Sequence, residues 1–117
     1  MHTIRDLVAA LRQREGVDAT VVLGRDGLVI DSHVAAGADA DSLAALAPAI
    51  VTAAEEFGER ASHGALTTAI LEYPETIAVI SALTPDALLL VLARPSANVG
   101  ALLYELRRHR EQIAALV

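Results

Sequence analysis

Two short apolar runs on either side of a glycine-rich turn form the clearest local pattern in the chain. Residues 20–23 (T-V-V-L) and 28–30 (L-V-I) flank the turn residues 24–27 (G-R-D-G). Asp-Gly between β-branched runs is typical of a hairpin, because glycine adopts a positive φ without a Cβ clash. Successive side chains of a strand point to opposite faces, and both runs are apolar at successive positions. We therefore expect a β-hairpin with both faces covered by other elements.

The N-terminal segment shows the periodicity of an amphipathic helix. Thr3 followed by Asp6 predicts a capped helix that extends to about residue 15 and stops at Gly16. Its apolar stripe is Ile4, Leu7, Val8 and Leu11. The side chains that we expect to face water are Arg5, Arg12, Gln13 and Arg14.

Two more helices are predicted from the same kind of pattern. The second spans residues 40–61 after Asp39 or Asp41 as its cap. Its predicted core stripe consists of Leu43, Leu46, Ile50, Ala54 and Phe57. The last helix spans residues 99–117 after Ser96 or Asn98, and its stripe consists of Val99, Leu102, Leu106, Ile113 and Val117. We interpret its basic cluster, residues 107–110, as a solvated face that complements the helix dipole.

Three further strands are predicted over residues 66–73, 76–83 and 87–93, joined by short turns. Such short links favour a meander of antiparallel neighbours. The last strand is apolar throughout, which is typical of a central strand. The order α-β-β-α-β-β-β-α then gives an α+β fold in one domain, residues 1–117. In it a five-stranded antiparallel sheet has helices on both faces, the first strand pairs with the fifth, and the second and third strands form the edges.

Composition narrows the possible functions. The chain has 117 residues, a net charge of −6, no cysteine, and arginine as its only cationic residue besides histidine. The negative charge argues against duplex nucleic acid or an anionic membrane as partner. No apolar run is long enough for a membrane span and no signal-peptide pattern opens the chain, so we expect a cytoplasmic protein.

The residues that carry enzyme chemistry are not arranged in a recognisable pattern. The phosphate-binding motif G-x-x-x-x-G-K-[ST] and the hydrolase motif G-x-S-x-G are both absent. The four histidines lack the spacing of a zinc site, and the acidic residues 55, 56 and 59 form a charged helix face. We therefore predict no catalytic residue, no metal site and no cofactor.

The order of the motifs resembles the roadblock (dynein light-chain roadblock) family along nearly the whole chain. The resemblance lies in E-G-V followed by A-T-V-V-L-G-R-D-G-L-V-I, in T-T-A-I-L-E-Y, and in the closing L-L-L-V-L-A-R-P-S-A-N-V-G-A-L-L-Y-E-L. Among bacterial members it is similar to regulators of Ras-like GTPases of the mutual gliding-motility protein B type. The resemblance implies a non-enzymatic homodimer that pairs edge strands and second helices and binds a small Ras-like GTPase.

Particular residues fit that implication. The third strand has no lysine or interior proline to block pairing, and the second helix carries alanines at four-residue spacing. The predicted dimer interface comprises Ala45, Ala49, Ala53, Thr67, Thr68, Ile70 and Leu71. The predicted GTPase-binding surface comprises Glu56 and Arg60, and Arg25 or Arg60 is a candidate arginine finger. Two alternatives stay open: the alanines can simply be good helix formers on a solvated face, and the domain can be a small-molecule sensor of mixed α/β type.

Overall fold

A computed structural model describes residues 3–117 of the chain. The strands are β1 (Val17–Gly24), β2 (Val29–Val34), β3 (Thr68–Glu72), β4 (Ile77–Thr84) and β5 (Ala87–Ala93). The helices are α1 (Ile4–Arg12), α2 (Ala40–Ala61), α3 (Val99–Arg108) and α4 (Arg110–Ala114). The strands form one antiparallel sheet in the order β2-β1-β5-β4-β3. The predicted pairing of the first strand with the fifth is confirmed, and so are the two edge strands.

Helices cover both faces of this sheet, as predicted. One apolar core lies between the sheet and α1, α3 and α4, and the other lies between the sheet and α2. Neighbouring residues of a strand alternate between them: Val22 belongs to the first core, and Val21 and Leu23 belong to the second. β5 is the central strand, and it supplies side chains to both cores, which explains why it is apolar throughout.

The hairpin is present, but only one of its strands is covered on both faces. β1 is buried along most of its length, whereas Leu28, just before β2, and Ile30, within β2, remain 67% and 49% exposed. The expectation that both faces of the whole hairpin are covered is therefore wrong for β2. An edge strand has a neighbour on one side only, and α1 reaches β2 farther along, around residues 31–33.

The predicted N-cap of α1 is confirmed, but the helix ends earlier than expected. The Thr3 hydroxyl accepts a hydrogen bond from the backbone N–H of Asp6. The helix ends at Arg12, because the chain must turn within four residues to enter β1, with Gly16 at a φ of +84°. Arg12 does not simply face water: its guanidinium donates to the carbonyl of Val17 at 2.8 Å and ties helix to strand.

The C-terminal segment contains two helices instead of the predicted one. α3 ends at Arg108 and α4 begins at Arg110, with His109 between them. The guanidinium of Arg110 donates to the carbonyl of Ala82 at the end of β4, so this arginine is not part of a solvated face. Ile113 is buried in the same core as α1. The predicted exposure of Arg107 and Arg108 is confirmed.

The bounds predicted for α2 are confirmed, but its predicted core stripe is only partly correct: Leu43 and Ile50 pack against the core, whereas Leu46 and Phe57 do not. The buried residues are Ala44, Ala47 and Val51, while Leu46 and Phe57 are 66% and 76% exposed. The remaining members of the predicted stripe, Leu43, Ile50 and Ala54, are half-buried. The layer beneath the helix is filled by large side chains of the sheet, namely Leu23, Ile80, Leu88 and Leu90. Small helix residues fit against them. Leu46 and Phe57 are therefore left on the outward side of the helix, while Leu43 and Ile50 pack against the margin of this core.

Within residues 3–117, no helix combines the length and the apolar character that crossing a bilayer requires.

Candidate interaction surface

The outward face of α2 carries an apolar stripe with small residues at its centre. Leu46, Ala49, Ala53 and Phe57 are all exposed and follow one another at three- or four-residue spacing. At 3.6 residues per turn these positions share one side of the helix. We call these four residues the α2 outer stripe. Its alanine centre lets a second helix approach closely, and its large ends supply apolar area to bury.

The remaining predicted residues of α2 flank this stripe. Ala45, Glu56 and Arg60 are exposed, as a binding surface requires. The segment 39–61 holds five acidic residues and one arginine, so this side of the molecule is acidic. Glu55 differs from its acidic neighbours in the helix because it is paired with a cation outside the segment, Arg25 of the hairpin turn.

The edge strand β3 offers unpaired backbone groups along one side. Thr67 accepts from the backbone N–H of Ala82 at 3.0 Å, and the backbone N–H of Tyr73 donates to Thr76 at 2.8 Å. Because bonding to one neighbour alternates along an antiparallel strand, the intervening Thr68, Ile70 and Glu72 direct their N–H and C=O groups away from β4. Within the part of the chain that the structure describes, no strand pairs with that side.

The structure divides the predicted interface residues of β3 between the two faces of the sheet. Leu71 packs into the α2-side core, and Ala69 does the same. Ile70 pairs with Val79, a residue of the opposite core, so its side chain lies on the face away from α2 and is 47% exposed. Thr68 is half-buried and Thr67 is exposed. Ala69 and Leu71 therefore lie on the α2 side of the sheet, whereas Ile70 lies on the other side and does not adjoin the alanines.

Leu46 and Phe57 are the surface residues that the sequence analysis missed. The sequence pattern predicts both in the core, because they are large and fit a helical stripe. The competing stripe of Ala44, Ala47 and Val51 has the same spacing. The number of large apolar residues on the facing strands is the available signal, since it favours small residues such as Ala44 and Ala47 directly beneath the helix.

The cavities and polar clusters give little support to other kinds of site. Within residues 3–117, no three His, Asp or Glu side chains come close enough together to hold a metal ion. A depression of about 530 Å³ lies between the end of α2 and residues 64–66, and one of about 470 Å³ lies beside Arg14 and Asn98. Both are open to solvent, unlike the enclosed and mostly apolar cavities that bind small molecules.

Comparison with known proteins identifies the family. Residues 3–93 match the Roadblock/LC7 domain. An uncharacterised protein of Methanocaldococcus jannaschii is 31% identical over 108 residues, which cover 91% of this chain and 92% of that protein. The Roadblock/LC7 domain from Streptomyces avermitilis is 27% identical, with a TM-score of 0.84 over 95% of this chain and 94% of that one. Myxococcus xanthus MglB shares the fold at 14% identity, with a TM-score of 0.84 over 97% and 95% of the two chains. The family resemblance of the sequence motifs is thus confirmed, and the chain belongs to the Roadblock/LC7 domain family.

Proposed function

We propose that this protein is a non-enzymatic homodimer that binds a small Ras-like GTPase, as a regulator or a scaffold. The observation that carries the proposal is the α2 outer stripe, in which the large apolar side chains of Leu46 and Phe57 are exposed. The unpaired edge of β3 offers a second surface for contact. Large apolar side chains that are exposed together on one helix are typical of an interaction site. Family membership supports the same conclusion.

A two-fold axis through the middle of α2 accounts for the arrangement of the stripe. In an antiparallel pair of α2 helices, Ala49 faces Ala53 of the second copy, and Leu46 faces Phe57 of the second copy. Small residues at the crossing point allow close approach, and the large residues at the ends bury apolar area. The same residue pairs then occur twice, as an isologous interface requires.

The edge strand can extend the contact in such a dimer. If β3 pairs with β3 of the second copy, the outward groups of Thr68, Ile70 and Glu72 gain hydrogen-bond partners. The two sheets then form one continuous sheet of ten strands, and the two α2 helices lie side by side on one of its faces. Leu71 contributes on that face and Ile70 on the other.

The proposed GTPase site is the exposed surface around Glu56 and Arg60 where the two α2 helices meet. A GTPase that sits on the two-fold axis contacts two copies of one patch, so we expect one GTPase per dimer. A preference for one nucleotide state requires contacts that differ between the GTP and GDP forms, which places the switch loops of the GTPase at this surface.

The test is capture of the Ras-like GTPase encoded nearest in the genome, loaded with GDP or a GTP analogue. We expect wild type to retain it in one nucleotide state and the double variant Glu56→Arg with Arg60→Glu to lose it. The matched control is Arg107→Glu with Glu111→Arg, which reverses two exposed charges on the opposite side of the molecule. A double variant at 56 and 60 that remains dimeric and binds like wild type would show that the site is elsewhere.

The proposal also predicts that the protein alone has no nucleotide chemistry. The chain lacks lysine and the phosphate-cradling loop that GTP binding uses. Isothermal titration of the isolated protein with GTP should show no micromolar binding. Saturable binding in that range would contradict a purely regulatory role.

A further inference from the structure

The hairpin turn between β1 and β2 packs directly against α2. Gly27 has a φ of +85°, and a Cβ placed there would lie 3.5 Å from the carbonyl oxygen of Ala44 and from the Cα of Ala45. In the same turn, the guanidinium of Arg25 forms a hydrogen-bonded ion pair with the carboxylate of Glu55 in the second half of the helix. Its Nη1 lies 2.8 Å from Oε1, and its Nη2 lies 3.3 Å from Oε2.

Arg25 is held in place from the sheet side. Its backbone N–H donates to the carbonyl of Asp86 in the β4–β5 turn at 3.0 Å. The turn itself is closed by a hydrogen bond from Gly24 to the carbonyl of Leu28 at 2.9 Å. A two-pronged arginine–carboxylate pair fixes orientation as well as distance. Arg25 therefore joins the end of the sheet to one defined position on α2.

The two halves of α2 are attached to the sheet in different ways. Its fully buried residues, Ala44, Ala47 and Val51, all lie within residues 40–51. From residue 52 to residue 61 no side chain is fully buried. This second half includes Ala53 and Phe57 of the α2 outer stripe, together with Glu56 and Arg60. The pair between Arg25 and Glu55 links it directly to the end of the sheet.

We propose that Arg25 is a positioning residue, which holds the second half of α2 in the orientation that the dimer contact needs. The inference rests on the proposed function, because it assumes that the outer stripe pairs with a second copy. Arg25 then affects the geometry of the dimer contact indirectly, through its ion pair with Glu55. An arginine engaged in this way is not a free arginine finger. The lowered pKa of Glu55, caused mainly by the hydrogen bond from Arg25, agrees with a carboxylate that stays ionised in the pair.

Charge exchange tests the role of the pair. We compare Arg25→Glu, Glu55→Arg and the double exchange Arg25→Glu with Glu55→Arg, all in the full chain. Two quantities are measured: the dimer dissociation constant by sedimentation, and backbone amide exchange in residues 44–51 and 52–61. In each single variant, the backbone amides of residues 52–61, and only those, should exchange at least about fivefold faster. Loss of the ion pair makes local opening of this segment easier, and amide exchange reports such opening. Each single variant should also weaken the dimer by about tenfold, and the double exchange should restore both values towards wild type.

The matched control is the ion pair between Arg94 and Asp18, which joins β1 to the end of β5 at 3.3 Å, away from α2. Arg94→Glu should change neither the exchange of residues 52–61 nor the dimer. If a charge reversal at Arg25 or Glu55 unfolds the chain, the neutral variants Arg25→Gln and Glu55→Gln take its place.

The outcomes separate this inference from the proposed function. Unchanged exchange in residues 52–61 and an unchanged dimer in the single variants would overturn the positioning role. Local exchange that rises with no weakening of the dimer would also overturn it, because α2 geometry would then not matter to pairing. A wild-type protein that is monomeric would refute the proposed dimer. In that case faster exchange confined to residues 52–61 still supports Arg25 as the anchor of α2.

Discussion

Thr20 is a buried polar residue without a hydrogen-bond partner. It lies in the middle of β1 with no exposed surface, and its hydroxyl is unpaired. A buried unpaired hydroxyl is unfavourable, and valine has nearly the same shape. We predict that Thr20→Val raises the free energy of unfolding by about 1 kcal/mol.

Thr84 provides the control for that prediction. Its hydroxyl accepts from the backbone N–H of Asp86 at 3.2 Å, so Thr84→Val should lower stability. Urea denaturation of both variants measures the two effects. A Thr20→Val protein less stable than wild type would indicate that the hydroxyl has a role in the core.

The N-cap of α2 should make stability depend on pH. The Asp39 carboxylate accepts from the hydroxyl of Ser42 at 2.6 Å and from its backbone N–H at 3.2 Å. These two hydrogen bonds lower the pKa of Asp39 in the folded state, and the bond from the Ser42 hydroxyl has the larger effect. A lowered folded-state pKa adds stability above the ordinary aspartate pKa, and that stability is lost as the pH falls through the folded-state value.

The substitution Asp39→Asn isolates this contribution, since asparagine also caps helices but does not titrate. We expect the Asp39→Asn protein to lose less stability than wild type between pH 7 and pH 3 in urea denaturation. Glu55, whose pKa is also lowered, contributes with the same sign in both proteins. Equal losses in wild type and Asp39→Asn would contradict the capping role.

At the scale of elements, helix α2 is where the interface prediction is most easily tested. Ala49 lies at the centre of the outer stripe, so a long charged side chain there both overpacks the helix contact and buries a charge. We predict that Ala49→Arg weakens the dimer by about 2–4 kcal/mol. The exposed Arg108 lies on α3, and Arg108→Ala should change the dimer by less than about 0.5 kcal/mol. Equal dissociation constants in sedimentation would count against the α2 interface.

Local signals in the sequence determined some elements better than others. Thr3 caps α1 as predicted, and Asp39 and Asn98 are each one of the two residues predicted for their caps, because a cap is a contact within one turn of the chain. The buried face of α2 could not be predicted in this way. Two apolar stripes compete on that helix, and the large strand residues beneath it favour Ala44, Ala47 and Val51 as the fully buried positions. The contact of Arg110, just after the break at His109, with the distant carbonyl of Ala82 likewise could not be predicted from the local sequence.

The same distinction applies to the candidate site. The exposed alanines of α2 and the open edge of β3 followed from spacing and strand order, which the sequence carries. The pairing of Arg25 with Glu55 joins residues 30 positions apart, and nothing in either local segment indicates it. The separation of Ile70 from the α2 face requires the register of β3 on β4, which becomes visible only once the strands are paired.

At the scale of the whole molecule, the proposed dimer joins two sheets through the outward side of β3. The backbone N–H of Ile70 points away from β4, so proline at this position removes no hydrogen bond within one copy. In the dimer it removes one donor from each copy at the shared edge. At about 0.5–1.5 kcal/mol for each lost bond, two losses should raise the dissociation constant by roughly fivefold to 150-fold.

Two further variants separate the backbone effect from other causes. Ile70→Ala removes the side chain but keeps the N–H, and it should weaken the dimer less than Ile70→Pro. Ala69→Pro removes an N–H that faces β4, so it should lower the stability of the chain itself by at least about 1 kcal/mol. Sedimentation and urea denaturation of the three variants give the two quantities. If Ile70→Pro folds and still dimerises like wild type, β3 does not pair with β3 of the second copy, and the dimer must depend on α2 alone.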